Sequence, residues 1–162
     1  MKIKPTTTTM NILSCVINEN PQAFAIIRGQ KIEGTVCFYP CLKGTAMIYE
    51  IKGLPKSKDC TGGIFGFHIH EGETCENNTK IPYEKTKGHF NPENCPHPYH
   101  LGDLPPIFAT KGMAWATIYI DKFKPKDIIG RTMIIHEHSD DMHSQPSGNS
   151  GEKIACGKIE KF

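Results

Sequence analysis

Residues 66–71 read GFHIHE, in which apolar and imidazole side chains alternate. Successive residues of a β-strand point to opposite faces, so the alternation places Phe67 and Ile69 on one face. His68 and His70 lie on the other face. The apolar face predicts a strand that packs against a core. The two imidazoles, held two residues apart, can act together as a clamp for a metal ion.

Similar short segments occur along most of the chain. They are rich in β-branched and aromatic residues and are bounded by Gly, Pro, Asn or Asp, which is typical of strands. No window keeps a helical period for ten residues or more, so no long helix is predicted. The first four segments recur roughly every 10 to 13 residues, a spacing that favours an antiparallel sandwich or barrel. The predicted strands are 24–27, 35–39, 47–51, 64–70, 114–120, 132–136 and 154–159.

The composition indicates one globular domain. The chain has 162 residues, of which 38% are hydrophobic and 22% charged, enough to form a single core. Its net charge is +2 and the basic residues are scattered, so we expect no nucleic-acid partner. No apolar run approaches the ~18 residues of a membrane span, so no membrane association is expected.

The N-terminal segment leaves the compartment open. Only Ile12 and Leu13 stand where a signal peptide would need an apolar run of about 7 to 15 residues. The sequence therefore predicts a cytoplasmic protein if Met1 is the true start. If the chain is a processed form, it predicts a secreted or cell-envelope protein.

Two long segments without strand patterning follow the predicted strands. Residues 71–109 are rich in Gly, Pro, Asn and Cys, and residues 137–152 have almost no apolar content. Long loops inside a compact domain are usually functional. The first of them contains four metal-ligating side chains: His89, His97, His100 and Asp103. We therefore expect a metal centre outside a β scaffold, beneath two loops.

His136 closes the clamp from a second strand. In the segment 132–136, Ile134 and His136 share one face and alternate with Met133 and Ile135. His68 and His70 alone would fit two exposed polar residues on a half-solvated strand equally well. Six of the eight histidines, together with Asp103, make a metal centre the better interpretation.

The seven cysteines carry no recognisable motif by themselves. Their number is odd, so at least one is unpaired within a monomer, and no CxxC occurs. The spacing of Cys37 and Cys41 fits neither a redox motif nor a structural zinc knuckle. Cys37 is predicted to be a small, mostly buried side chain of a strand.

Five blocks of the chain resemble the copper/zinc superoxide dismutase family. They follow the family's order, and the resemblance covers the chain from about residue 22 to the C-terminus. The short HPYHLGDLPP segment is similar to bacterial members. The blocks are GFHIHE at 66–71, GHFNP at 88–92, HLGDLP at 100–105, IIHEHSDD at 134–141 and QPSGNSGEKIACG at 145–157.

The resemblance implies an all-β fold, an eight-stranded Greek-key β-barrel or sandwich of immunoglobulin-like type, with two long functional loops. Residues 1–21 would form an N-terminal extension, which could be flexible, and residues 22–162 the dismutase-like domain. The implied reaction converts two superoxide anions and two protons into dioxygen and hydrogen peroxide. Whether the chain forms a homodimer stays open at this stage.

The resemblance also implies a ligand set for each metal. Two four-coordinate metals need eight ligands, and the seven side chains suffice only if His89 bridges both. Asp140 would fix the rings of His68 and His97 from outside the metal sites. The implied copper ligands are His68, His70, His89 and His136, and the implied zinc ligands are His89, His97, His100 and Asp103.

Three further residues receive roles by resemblance. Cys75 and Cys156 would form a disulfide that ties the first loop to the last strand, leaving the other five cysteines outside the pattern. Lys153 would guide superoxide to copper, although the family usually has arginine there. The chain also departs from long-loop members in that only two residues separate His97 from His100.

Two other functions would use part of this set of residues. A cupin-type metal oxygenase also uses HxH with a distant histidine, and Glu73 or Glu76 could join it, but His97, His100 and Asp103 would then be idle. The alternative to the enzyme is a non-enzymatic copper/zinc-binding relative, a metal carrier or buffer. Retention of all four copper ligands favours the enzyme.

Overall fold

The computed structural model describes residues 6–56 and 63–162. Within them the chain forms nine strands, and β4 and β5, which only Gly66 separates, together make the predicted strand 64–70. The resemblance implied eight strands, and the described residues form nine, because Gly66 divides the predicted strand into two parts that belong to different sheets. The strands are β1 (Ala23–Gly29), β2 (Glu33–Cys41), β3 (Gly44–Lys52), β4 (Ile64–Phe65), β5 (Phe67–His70), β6 (Ile107–Phe108), β7 (Met113–Ile120), β8 (Thr132–His136) and β9 (Lys153–Lys161).

The strands form a curled antiparallel sheet, which confirms the all-β prediction. Seven strands pair in the order β5-β8-β9-β1-β2-β3-β7, and β4 pairs with β6 in a second, two-stranded sheet. Because β9 returns to lie between β8 and β1, the last strand joins the site-bearing strands to the rest of the barrel. Two 3-10 helices, Glu84–Thr86 and Pro125–Asp127, interrupt the connections.

Alternation along the strands builds the core. In β1, Ala23, Ala25 and Ile27 are fully buried, while the residues between them are at least partly exposed. The same rule turns Phe67 and Ile69 of β5 into the core, where Phe67 meets Tyr49 edge to face with ring centroids 5.5 Å apart. The inner faces of the strands thus form one apolar interior, and the histidines of β5 lie on the opposite face.

An N-terminal helix, α1 (Thr7–Asn18), corrects the expectation that no helix of this length is present. Thr6 caps it by accepting a hydrogen bond from the Thr9 amide at 3.2 Å. None of its side chains is fully buried, and a disulfide from Cys15 to Cys41 attaches it to the end of β2. Its threonine-rich start has weak helix propensity. The segment also lacks a helical period of apolar residues, so the sequence did not predict the helix.

Two smaller expectations also needed correction. Strand β6 lies inside the segment 71–109 that was predicted as loop, where a two-residue strand gives no periodicity. Cys37 is partly exposed because its side chain points to the outer face of β2. Cys60, one of the cysteines outside the family pattern, lies outside the described residues.

Within the part of the chain that the structure describes, no helix is long and apolar enough to cross a membrane.

Candidate metal centre

The centre is assembled on β5 and β8. These strands pair antiparallel, with His68 opposite Ile134 and His70 opposite Thr132. His136 is the last residue of β8. An irregularity in the pairing of β8 with β9, between Ile135 and His136, shifts its register. The three histidines therefore lie on one face of two adjacent strands, as the alternation predicted.

Backbone hydrogen bonds attach the first loop, residues 71–109, to β5. Ile69 N donates to Gly102 O at 2.9 Å, and Phe90 N donates to Ile69 O at 2.8 Å. A Cβ at Gly102 would lie 2.2 Å from Ile69 O, so only glycine allows this approach. These hydrogen bonds place His89 and Asp103, the neighbours of Phe90 and Gly102, directly beside the histidines of β5.

Two groups of side chains result, and both are buried. In each group the candidate ligand atoms lie within 4.8 Å of one another, and His89 is common to both. The copper-side group is defined as His68, His70, His89 and His136, and the zinc-side group as His89, His97, His100 and Asp103. The structure thus brings together all seven of the side chains that the sequence singled out as ligands.

Asp103 is the centre of the zinc-side group. Its Oδ1 lies 2.7 Å from His89 Nδ1, and its Oδ2 lies 3.1 Å from His97 Nδ1 and 3.3 Å from His100 Nδ1. Burial raises the pKa of Asp103, but the hydrogen bond from His89 and the nearby imidazoles outweigh it, and the net shift is downward. The group therefore presents one carboxylate to three convergent imidazole nitrogens.

In the copper-side group, His70 and His136 each use one ring nitrogen for a hydrogen bond to a backbone carbonyl. His70 Nδ1 donates to Lys87 O at 2.9 Å, and His136 Nδ1 donates to Gly151 O at 3.2 Å. A neutral imidazole that donates from one nitrogen presents a lone pair at the other. The two Nε2 atoms face each other at 3.3 Å, so both lone pairs point at the same space.

Asp140 connects the two groups from behind. Its Oδ2 lies 2.7 Å from His68 Nε2, and its Oδ1 lies 2.9 Å from His97 Nε2. Burial would raise the pKa of Asp140, but hydrogen bonds from His68, the Met142 amide and His97 outweigh it and lower the pKa. Gly148 has φ +68, and a Cβ there would lie 1.9 Å from Asp140 Oδ1, so glycine makes room for this carboxylate.

Three buried ring nitrogens have no hydrogen-bond partner among the described residues: His68 Nδ1, His89 Nε2 and His97 Nδ1. Buried polar atoms left unpaired are costly and rare in folded proteins. Each of these nitrogens points into one of the two groups, and a metal ion would satisfy it. Four imidazoles suit copper, and three imidazoles with a carboxylate suit zinc, so the donor sets fit both metals.

Burial keeps the imidazoles ready to bind metal. It is the largest cause that lowers the pKa of His68 and of His70, and burial together with the nearby His68 lowers the pKa of His136 to about 3. Only a neutral imidazole can ligate a metal ion. At neutral pH these three side chains therefore need not lose a proton first.

A cavity of about 420 Å³ opens onto the copper-side group. His70, His89 and His136 line it together with Lys153, which is half-buried at the start of β9. The zinc-side group contributes only His100 and the shared His89 to this lining. A small molecule can therefore approach the copper side more directly than the zinc side.

The disulfide Cys75–Cys156 forms, with a Cα–Cα distance of 5.7 Å, and ties the first loop to β9. Cys95 is in no disulfide, is partly exposed and belongs to neither group. The short turn between His97 and His100 is closed by a hydrogen bond from Tyr99 N to Pro96 O at 2.9 Å. Both histidines still reach the zinc-side group.

Some supporting residues were missed by sequence reasoning. Lys122 donates to the carbonyls of His100 and Asp103, each at 3.3 Å. Gln145 holds the backbone of His97 by two hydrogen bonds, from its amide nitrogen at 2.7 Å and to its oxygen at 2.9 Å. A backbone carbonyl can accept a hydrogen bond whatever its side chain, so the sequence does not show these contacts. Gln145 does lie within one of the blocks that carry the family resemblance.

A sequence model of the copper/zinc superoxide dismutase family matches residues 32–159. A superoxide dismutase [Cu-Zn] of Deinococcus radiodurans is 32% identical over 148 residues, which cover 80% of this chain and 78% of the relative. Superoxide dismutase [Cu-Zn] 4 of Dictyostelium discoideum is 30% identical over 159 residues, covering 87% and 99%. A superoxide dismutase [Cu-Zn] of Pasteurella multocida is 34% identical over 131 residues, covering 72% and 70%.

Proposed function

The chain belongs to the copper/zinc superoxide dismutase family, and on that premise we propose that it converts two superoxide anions and two protons into dioxygen and hydrogen peroxide. Its cofactors are copper and zinc, and superoxide is its substrate. One observation carries the residue assignment: seven buried side chains form two groups of four that share His89. We assign copper to the copper-side group and zinc to the zinc-side group.

Copper, when bound, supplies the one-electron redox chemistry, and zinc, in a group with little access from the cavity, supplies charge and order. The residues of this chain supply the rest. His68, His70 and His136 each engage an outer partner through one ring nitrogen and offer the other. His89 presents Nδ1 to the zinc side and Nε2 to the copper side, so Nε2 is where a proton is held between the two half-reactions.

Lys153 is assigned the steering of superoxide. Lys153 and Lys87 are the two lysines among the residues that line the copper-side cavity. A positive charge at the entrance to a cleft raises the local concentration of a small anion, and salt weakens the effect. Burial lowers the pKa of Lys153 from its ordinary value near 10.5, yet nearby Glu84 opposes the shift.

The alternative, a non-enzymatic metal carrier or buffer, is not favoured. A carrier needs ligands but no route for a substrate anion. Here the cavity reaches His70, His89 and His136 and has cationic side chains in its wall. This arrangement is expected of an enzyme whose substrate is an anion.

The proposal is tested by following superoxide decay in the presence of the copper- and zinc-loaded protein. We expect a rate that is second order, proportional to protein and lower at high salt. Lys153→Glu should reduce the rate by about tenfold or more and flatten its salt dependence. Lys158→Glu is the matched control, since Lys158 is an exposed lysine on the same strand, five residues away from Lys153. No decay above that of free copper would refute the proposal.

We further propose that two copies of the chain associate. Support comes from exposed apolar side chains: Trp115, 66% exposed, and Met113 lie on the edge strand β7, and Phe108, 67% exposed, and Ile64 lie on the paired strands β6 and β4. Exposed apolar groups of this size commonly mark protein contacts. Sedimentation equilibrium should give the mass of a dimer, and Trp115→Glu should give a monomer. A monomeric mass for the unmodified chain at all concentrations would refute this.

We also propose that the chain works outside a reducing cytoplasm. Support comes from two disulfides, Cys15–Cys41 and Cys75–Cys156, since such bonds persist mainly in oxidising compartments. Alkylation of thiols during cell lysis, followed by mass mapping, should find both pairs oxidised. Both pairs reduced in the cell would contradict the proposal.

A further inference from the structure

The ammonium group of Lys153 is held by three oxygen atoms. Its Nζ donates to Thr86 Oγ1 and to Lys87 O, each at 2.8 Å, and lies 3.5 Å from Tyr83 O. An ammonium group has three N–H donors and no acceptor. Every donor of Lys153 therefore has a partner in the turn of residues 83–87, and the side chain is fixed although its stem is flexible.

Thr86 is the one side chain among these three acceptors. It is fully buried, and its hydroxyl donates to Tyr83 O at 2.7 Å. Since that proton is engaged, the lone pairs of Oγ1 are free to accept from Lys153. The Thr86 backbone is fixed as well, because its N–H donates to Tyr83 O and its carbonyl accepts from Gly72 N.

The other strong acceptor, Lys87 O, is shared with the metal centre. It accepts from His70 Nδ1 at 2.9 Å and from Lys153 Nζ at 2.8 Å. The ammonium charge therefore stands one carbonyl away from a side chain of the copper-side group. A lysine is a point charge on a flexible four-carbon stem, so its position depends on how many fixed acceptors it meets.

We propose that Thr86 is a positioning residue of this site, whose buried hydroxyl holds the Lys153 ammonium at the cavity wall beside His70. The inference rests on the proposed function, in which Lys153 attracts superoxide. Thr86 itself does not face the substrate. Without its hydroxyl, Lys153 keeps its charge but loses one of its two short hydrogen bonds, and the charge is no longer confined to the entrance.

The test compares Thr86→Val with Thr86→Ser in the full, metal-loaded chain. Thr86→Val should lower kcat/KM about three- to tenfold and flatten its salt dependence, because the charge is kept but misplaced. Thr86→Ser keeps the hydroxyl and should restore both. In a Lys153→Met background, Thr86→Val should cause no further loss. Should Thr86→Val not fold, Thr86→Ala takes its place in the same cycle.

A second readout needs no turnover. An amine-reactive reagent should label Lys153 several-fold faster in Thr86→Val than in the unmodified protein or in Thr86→Ser, with Lys158 as the internal reference in peptide mass spectra. Thr45→Val is the matched control, because it removes another fully buried hydroxyl, which donates to Phe123 O at 2.8 Å, and neither residue lines the cavity. It should leave the labelling of Lys153 and the salt dependence unchanged.

Two results would overturn the inference. One is equal rates, salt slopes and labelling for Thr86→Val and the unmodified protein. The other is an undiminished effect of Thr86→Val in the Lys153→Met background, which would show that Thr86 acts on the turn and not on the ammonium group. An inactive unmodified protein with both metals bound would refute the proposed function instead, and the labelling comparison would still decide the role of Thr86.

Discussion

The two halves of the metal centre are built differently. Three members of the copper-side group come from β5 and β8, whose backbone hydrogen bonds fix them in the sheet. All four members of the zinc-side group, His89, His97, His100 and Asp103, come from the loop between β5 and β6. That loop is held by its backbone hydrogen bonds to β5, by side-chain hydrogen bonds from Lys122 and Gln145, and by the disulfide Cys75–Cys156.

The difference assigns separate tasks to scaffold and loop. A site on paired strands is placed to within the precision of the sheet, whereas a site on a loop depends on added constraints. The half to which we assign copper is the half that the sheet positions. A zinc ion held by the loop residues would in turn fix the loop. His89 belongs to both groups, and Asp140 contacts one histidine of each, so these two side chains connect the halves.

The largest effect is expected from breaking the strand-held half. His136→Ala removes a copper-side ligand from the end of β8 and should lower dismutation by more than about a hundredfold, because even outer partners of metal ligands cost about 10- to 100-fold. Zinc content and far-UV circular dichroism should stay close to those of the unmodified chain. His143→Ala is the control, since His143 is exposed and outside both groups. Near-normal activity of His136→Ala at full copper occupancy would contradict the assignment.

A large effect on stability is expected from loosening the loop-held half. Cys75→Ser opens a disulfide of sequence separation 81 and should lower the free energy of unfolding by about 4 kcal/mol. It should also weaken zinc retention more than copper retention, since it frees the loop and not the strands. Chelator competition for each metal measures this.

Cys15→Ser provides the matched control for that experiment. It opens the disulfide that attaches α1 to β2, and neither cysteine of that bond belongs to either group. It should lower the unfolding midpoint and leave the retention of both metals unchanged. Equal loss of zinc in Cys75→Ser and Cys15→Ser would show that the loop does not depend on its own disulfide.

A smaller effect, felt on both sides, is expected from Asp140→Asn. The carboxylate accepts from His68 Nε2 and His97 Nε2, and an amide offers only one oxygen for these two donors. Affinity for both metals should fall about 10- to 100-fold. Isothermal titration of the metal-free chain with each ion measures the change. Loss confined to one metal would mean that Asp140 does not couple the two halves.

The same division explains what the sequence could predict. The copper-side face followed from residue alternation in β5 and β8, because the period of a strand is fixed by its backbone. His97 and His100 lie on a loop with no period, so their residue type marked them as candidate metal ligands and only the family resemblance assigned them to zinc. Helix α1 and the disulfide of Cys15 with Cys41 were not predicted, because the helix is short and the two cysteines are brought together only by the fold.

The central claim is that two metals share one imidazole, that of His89. Elemental analysis of the purified chain, loaded with both ions and dialysed, tests it most directly. We expect one copper and one zinc per chain, since seven side chains make eight ligands only when His89 serves both groups. A single metal ion per chain, or zinc alone after exposure to excess copper, would contradict it.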